Sequence, residues 1–184
     1  DSAAHWHTPV ELDKAGLKRI KQAFVDATVR SLRLGFDLVE VHGAHGYLLH
    51  QFLSPLANQR DDEYGGSLEN RARLILEVVD TAIAEIGADR VGIRLSPHFV
   101  AHDIADAEAE ASALYLAREL TKRGIAYLHI AEPDWAENER RPVRPHELMG
   151  DLGFAWKHSG DYWGGVVDVL DPKLQAAITE LRTA

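Results

Sequence analysis

The sequence predicts an α/β fold, in which amphipathic helices alternate with short buried strands. The order along the chain is helix, strand, helix, strand, helix, strand up to about residue 134. Gly35, Gly87 and Gly124 each lie where a helical run of apolar residues stops. Because strands that alternate with helices pair in parallel through right-handed crossovers, we expect a parallel sheet covered by helices.

The first helix–strand unit begins at one of two capping signals. Residues 8–11 (Thr-Pro-Val-Glu) have the form of a capping box with proline at the first helical position, and Asp13 is a second candidate N-cap. Apolar residues then recur at helical spacing up to Leu32, and Gly35 is placed to end the helix. Residues 36–41 follow as a predicted buried strand.

Residues 42–66 form a long, turn-rich connection. Tyr47 to Leu53 is apolar enough for a short helix or a packed loop, whereas residues 58–66 are charged and broken by glycines. Connections this long are usually functional or disordered, and the aromatic and apolar content favours order. Ser67 is a good N-cap for the next helix, which ends at Gly87. The charged side chains expected to tie the connection together are Arg60, Asp61, Asp62, Arg71 and Arg73.

Two further units complete the regular pattern. Residues 91–95 read as a strand, residues 106–123 as a helix, and residues 125–131 as a third strand. The regular spacing of apolar residues weakens after Pro133. Two shorter patterns there predict a strand at 166–170 and a closing helix at 172–181.

The composition limits the classes of function. The chain of 184 residues is long enough for one domain, but a complete eight-stranded (β/α) barrel needs about 250 residues. Its net charge of −9 argues against a general nucleic-acid or anionic-membrane surface. It has no cysteine, which excludes disulfides, thiolate nucleophiles and Cys-ligated metals. With no signal peptide and no apolar run near the roughly 20 residues of a membrane helix, a cytoplasmic protein is expected.

The strongest functional signal is the end of the first strand, where His42, His45 and Tyr47 stand in a glycine-punctuated turn. A strand that ends in such a cluster places it at the rim of a sheet or barrel, where a ligand can bind. The alternatives are two histidines satisfied within a loop and a tyrosine that packs as a core aromatic. A metal site is a further alternative, since imidazole clusters suit zinc or copper. Its ligands would be drawn from His42, His45, His50, His98 and His102.

Arg94 is unusual because it lies within an apolar strand. A buried arginine needs a partner. That partner is either a ligand or an acid on a neighbouring strand, for which Glu40 is the candidate.

Several long motifs resemble the Old Yellow Enzyme family of FMN-dependent NAD(P)H oxidoreductases, with the N-ethylmaleimide reductase branch closest. The motifs are FDLVEVHGAHGYLLHQFLSP at 36–55, NQR at 58–60, DEYGGSLENRAR at 62–73, GIRLSP at 92–97 and GIAYLH at 124–129. The resemblance covers roughly residues 8–134.

The resemblance implies a (β/α)8 TIM barrel with FMN at its carboxyl rim, of which this chain carries about the fourth to sixth strands. His42 and His45 match the pair that binds the substrate oxygen, Tyr47 matches the proton donor, and Arg94 matches the arginine at the flavin ring. Imidazole donors stabilise the negative charge that develops on that oxygen, and the phenol acts as a general acid. Activated alkenes (α,β-unsaturated carbonyls) or nitro compounds are the implied substrates, and NAD(P)H is the implied reductant.

The resemblance also implies that parts of the barrel lie outside this chain. The first three strands of the family would precede residue 1, and residues 135–184 do not carry the family's phosphate-binding pattern. We therefore divide the chain into a partial barrel, residues 1–134, and a divergent tail, residues 135–184. An open barrel exposes strand edges, so we expect pairing with another copy or with a missing half, or a tail that covers one edge. The alternative function is a non-catalytic barrel remnant that folds or binds a partner without flavin.

Overall fold

The computed structural model describes residues 10–97, 99, 104 and 106–131, and the backbone of two later strands at 155–157 and 165–168. The helices are α1 (Lys14–Arg33), α2 (Leu48–Leu53), α3 (Leu68–Ile86) and α4 (Ala109–Arg123), with a 3-10 turn at Ala88–Arg90. The strands are β1 (Val39–His42), β2 (Val91–Leu95), β3 (Tyr127–Ile130), β4 (Ala155–Lys157) and β5 (Gly165–Asp168).

The sheet has the strand order β1-β2-β3-β5-β4, and its first three strands are parallel. Side chains alternate between the two faces of a strand. On one face the aliphatic residues of β1 to β3 are covered by the helices, and α3 supplies much of the core. The predicted α/β alternation with parallel pairing is confirmed for this part of the chain.

Local capping explains where the helices begin. Asp13 is the N-cap of α1, and its carboxylate accepts a hydrogen bond from the Gly16 amide at 2.6 Å. Ser67 caps α3 in the predicted way, because its hydroxyl accepts from the Asn70 amide. Of the two signals for α1, the structure thus uses Asp13, and α4 begins at Ala109, three residues later than predicted.

The predicted strand at 36–41 is shorter and less buried than its sequence indicated. The strand is Val39–His42, and Phe36 before it is 63% exposed. Leu34 and Leu38 are exposed as well. Among the described residues β1 pairs only with β2, so nothing described covers this apolar edge.

The long connection after β1 is ordered by charged and amide side chains, as predicted for Arg60, Asp62, Arg71 and Arg73 but not for Asp61. Its first part is the short helix α2. The Asn58 amide donates to the Phe52 and Tyr64 carbonyls at 2.6 and 2.7 Å, and Arg60 pairs with Asp62. Arg71 reaches from α3 to the last carbonyl of α2 and to the loop that follows it.

The tail contributes two antiparallel strands to the sheet. β5 pairs antiparallel with β3, and β4 pairs antiparallel with β5. β5 agrees with the strand expected at 166–170, whereas β4 had no clear sequence signal. The tail therefore covers the outer edge of β3, one of the expected solutions to an open edge. The expected helix at 172–181 lies outside the described residues.

Within the described part of the chain, no helix combines the length and the apolar character that a membrane crossing needs.

Candidate active site

The face of the three parallel strands opposite the core carries two rows of aligned residues, most of them polar. The strand register aligns His42, Arg94 and His129 side by side at the carboxyl edge. The row beneath it consists of Glu40, Gly92 and Tyr127. The core lies on the opposite face, so these polar side chains point away from it.

His42, His45 and Tyr47 meet at the carboxyl edge of β1. The ring centroids of His42 and His45 are 5.7 Å apart, and those of His42 and Tyr47 are 5.4 Å apart. Tyr47 is 64% exposed. A polar group that approaches from solvent can therefore reach two imidazoles and a phenol together, as predicted for a rim. The alternative of a tyrosine that packs as a core aromatic is wrong, because this side chain is mostly exposed.

A tight turn creates this arrangement. The central residues His45 and Gly46 both have positive φ angles, 55° and 75°, and the Tyr47 amide bonds to the Ala44 carbonyl at 3.2 Å. Positive φ at both central positions is the property of a type I′ turn. The left-handed conformation costs a non-glycine residue about 1 kcal/mol. The surrounding structure holds the His45 backbone there, because its amide donates to the Ser96 hydroxyl at 2.8 Å.

Burial and charge keep the two imidazoles neutral. Burial lowers the pKa of His42, and the nearby positive charge of Arg94 lowers it further, against a smaller opposing effect of Glu40. The pKa of His45 is lowered by burial, by Arg94 and by His42. A neutral imidazole keeps one N–H donor and one acceptor nitrogen, so each ring retains a single N–H at neutral pH, and the Ala44 backbone is a hydrogen-bond partner of the His42 ring.

A second polar group on the same face involves residues that the sequence reading did not assign to the site. The Glu40 carboxylate lies 2.9 Å from His129 Nδ1 and accepts a hydrogen bond from Tyr127. Burial would raise the pKa of Glu40, but these bonds and the charge of Arg94 outweigh it, and the pKa is lowered. Burial and the Glu40 charge raise the pKa of Tyr127.

Gly92 makes this cross-strand group possible. A Cβ at residue 92 would lie 2.3 Å from the Tyr127 ring, so any side chain there would displace the phenol. Glu40 and His129 stand on β1 and β3, with β2 between them. The period-two pattern of polar residues at the ends of β1, β2 and β3 is the signal that could have identified Tyr127 and His129.

Arg94 lies where the sequence predicted it, at the same edge as the histidines. Its guanidinium is partly buried and lies close enough to lower the pKa of Glu40, His42 and His45. The expected alternative, an ion pair with Glu40, stays a prediction, and what supports it is the effect of the Arg94 charge on the pKa of Glu40. The same guanidinium belongs to the row at the carboxyl edge, where its N–H groups can bind acceptors on a ligand ring.

The alternative of a metal site has little support in the described part of the chain. No group of three or more histidine, cysteine, aspartate or glutamate side chains is placed there to hold a metal ion. His50 instead accepts a hydrogen bond from the Gly46 amide through Nδ1. His98 and His102 lie outside the described residues.

Comparison with known proteins gives consistent results. A model of the NADH:flavin oxidoreductase / NADH oxidase family matches residues 2–178, beyond the motifs that end near residue 134. 12-Oxophytodienoate reductase 1 from Oryza sativa subsp. japonica is 45% identical over 150 residues, which are 81% of this chain and 40% of that protein. The chain therefore spans about two fifths of the length of such curated relatives.

Two solved structures show the same similarity. Morphinone reductase in complex with tetrahydroNAD is 44% identical, with a TM-score of 0.72, and the match covers 79% of this chain and 39% of that one. Old Yellow Enzyme from Pichia is 41% identical with a TM-score of 0.62, over 64% of this chain and 33% of that one.

Proposed function

The chain belongs to the NADH:flavin oxidoreductase / NADH oxidase family, and from this premise we propose that it carries the substrate-binding rim of an FMN-dependent NAD(P)H oxidoreductase. The proposed substrates are small molecules, either activated alkenes such as α,β-unsaturated carbonyls or nitro compounds. The observation that carries the proposal is the cluster of two neutral imidazoles and one exposed phenol beside Arg94.

His42 and His45 bind the substrate oxygen in this proposal. Each ring is neutral because burial and the Arg94 charge lower its pKa, so each offers one N–H donor without carrying a charge of its own. Two donors aimed at one carbonyl or nitro oxygen stabilise the negative charge that develops there during reduction. Donors that are already fixed by the strand end and the turn do not have to reorganise when that charge forms.

Arg94 is the residue on this chain that would hold the flavin ring. FMN, when bound, supplies the hydride chemistry that links NAD(P)H to the substrate. The donor set at the carboxyl edge fits such a ring, because a planar guanidinium offers several N–H donors and a fixed positive charge. It lies in register with His42, so the residues for ring and substrate share one edge of the sheet.

Tyr47 is the proposed proton donor. Its ring contacts that of His42 edge-on, with centroids 5.4 Å apart. The phenol is therefore placed next to the position where the imidazoles would hold the substrate oxygen. The carbon that needs a proton is the one adjacent to the activating group, and a phenol at this position donates as a general acid.

The wider architecture of this proposal is a partial (β/α)8 barrel. β1, β2 and β3 correspond to its fourth, fifth and sixth strands, residues 1–134 form the partial barrel, and residues 135–184 form a divergent tail. A (β/α) barrel contains parallel strands only, so the antiparallel β5 ends the parallel series at β3. Catalysis in the cytoplasm, where thiols stay reduced, agrees with the absence of cysteine.

Flavin titration tests the role of Arg94. We expect added FMN to bind the chain with a change in flavin absorbance and fluorescence. Riboflavin, which has the same ring without phosphate, should bind with similar strength if only the ring is held here. Arg94→Met should weaken binding of both by about tenfold, the effect of losing about 1.4 kcal/mol.

Arg90→Met is the matched control for this titration, because Arg90 is exposed and precedes the other end of β2. It should leave flavin binding unchanged. A chain that stays colourless and takes up neither flavin contradicts the oxidoreductase proposal. That result would favour the alternative of a non-catalytic barrel remnant that folds or binds a partner without flavin.

We propose that the chain binds a partner through the edge of β1. The partner is either a second copy of the chain or the missing half of the barrel. Leu34, Phe36 and Leu38 expose apolar surface beside a strand that pairs on one side only among the described residues. In the purified chain a second copy is the available partner. We therefore expect light scattering after size-exclusion chromatography to give a dimer mass, and Phe36→Lys to reduce it to the monomer mass. A monomeric parent chain would contradict pairing between copies.

A further inference from the structure

We infer that His50 is a positioning residue that holds the turn carrying His45 and Tyr47, and that it does so only as the neutral tautomer protonated on Nε2. The inference extends the proposed function, because the turn presents two of the proposed site residues. His50 touches no proposed substrate atom. Its effect passes through the backbone of Gly46.

The hydrogen bond that carries the inference joins the Gly46 amide to His50 Nδ1 at 3.1 Å. Gly46 is the second central residue of the turn, and its φ of 75° is one that side chains rarely adopt. An amide in such a turn needs an acceptor when it is buried. His50 is the third residue of α2, so the bond resembles the half of a capping box made by the third helical residue, except that the imidazole accepts from the residue before the N-cap Tyr47.

The rest of the turn is held from outside in the same way. The Ser96 hydroxyl accepts from the His45 amide at 2.8 Å, and the Gln51 side chain donates to the Gly46 carbonyl at 2.7 Å. The backbone amides of His45 and Gly46 thus both donate to side chains that are themselves buried. Ser96 and His50 are each 3% exposed. The side-chain amide of Gln51 secures the Gly46 carbonyl, which follows these two amides in the chain. Tyr47, the N-cap of α2, has no side-chain cap bond of its own.

Accepting this bond requires a lone pair on Nδ1. The ring must therefore be neutral and carry its proton on Nε2. The environment agrees with this requirement, because burial lowers the pKa of His50 against a smaller opposing effect of Asp106, and the nearby imidazoles of His45 and His42 add smaller effects in the lowering direction. A proton on Nδ1 would place two donors against each other and release the Gly46 amide.

Substitution separates this role from simple packing. Asparagine can place Oδ1 near the position of Nδ1, so His50→Asn should keep an acceptor for the Gly46 amide while it removes the ring. His50→Leu fills space but accepts nothing. We expect hydrogen exchange of the Gly46 amide to accelerate at least tenfold in His50→Leu and to stay within about threefold of the parent chain in His50→Asn.

The measurement uses the 184-residue chain without flavin or substrate, so failure of the oxidoreductase proposal cannot be mistaken for failure of this one. Long-range 15N–1H correlation of the parent chain should show His50 protonated on Nε2 and not on Nδ1. Exchange of the Ile93 amide in β2 reports global opening in each variant. A proton on Nδ1 in the parent chain, equal acceleration at Gly46 in both variants, or an unchanged Gly46 amide in His50→Leu would each overturn the inference.

Discussion

Replacing Tyr47 with phenylalanine is expected to slow reduction of an activated alkene by about 100-fold in the flavin-loaded chain. The hydroxyl is the group proposed to deliver the proton, and phenylalanine keeps the ring that contacts His42. Effects of removing a general acid run from about 10²- to 10⁴-fold. We expect the lower end, because a side chain that is 64% exposed leaves water able to substitute as the donor.

Separate measurement of the two half-reactions makes this prediction specific. Stopped-flow reduction of bound flavin by NAD(P)H should stay within about twofold of the parent chain, since proton delivery to the alkene belongs to the other half-reaction. Tyr127→Phe is the matched control, because its hydroxyl bonds to Glu40 in the row beneath the edge. Equal loss in both half-reactions of the Tyr47 variant would contradict its role as proton donor.

Local signals predicted much of the fold because they depend on neighbouring residues alone. Ser67 has the short hydroxyl that caps a helix, and it caps α3. Gly124 adopts the left-handed conformation at the end of α4, where the apolar period stops. The boundaries of β2 follow from a short apolar run between polar turns and agree with the prediction. The resemblance to Old Yellow Enzymes, stated from motifs, is confirmed by the family match.

The remaining features depend on contacts between distant parts of the chain. Phe36 is apolar and precedes a strand, but whether it is buried depends on what lies across the edge of β1. β4 and β5 form a sheet with β3, although the sequence between β3 and β5 has no clear period. No local rule states that a strand from the tail pairs antiparallel with β3.

The site shows the same division between local and distant signals. His42, His45 and Tyr47 are neighbours in sequence, so their grouping was visible before the fold. Glu40 and His129 are 89 positions apart, and their contact requires the register of three strands and a glycine between them. Alternation along each strand could have predicted which side chains share a face. The pairing across β2 depended on the register.

Removal of the Arg71 guanidinium is expected to give the largest loss of stability among the substitutions considered. Its side chain is 6% exposed and donates to the Leu53 carbonyl at 2.9 Å, the Gly66 carbonyl at 2.6 Å and the Glu108 carboxylate at 2.5 Å. Arg71→Met keeps most of the aliphatic volume and removes all three bonds. The ends of α2 and of the long connection would then lose the donor that joins them to α3.

The size of the effect follows from which partners stay buried. Glu108 is 56% exposed and can be solvated by water, so its separation from Arg71 costs little. The Leu53 and Gly66 carbonyls lose bonds to a charged donor, each contributing about 1.5–3 kcal/mol. We expect Arg71→Met to lower the free energy of unfolding by about 3 kcal/mol. Urea denaturation followed by circular dichroism measures this value.

Arg73→Met on the same helix is the matched control. Arg73 donates to the Glu63 carbonyl and to the Asn70 side chain near the surface, where water can replace the lost bonds. We expect a change below about 1 kcal/mol, the usual range for exposed polar contacts. Arg71→Lys should recover part of the stability, because one ammonium cannot serve three acceptors in the geometry of a guanidinium. Equal losses at Arg71 and Arg73 would contradict the role of Arg71 in joining α2, the connection and α3.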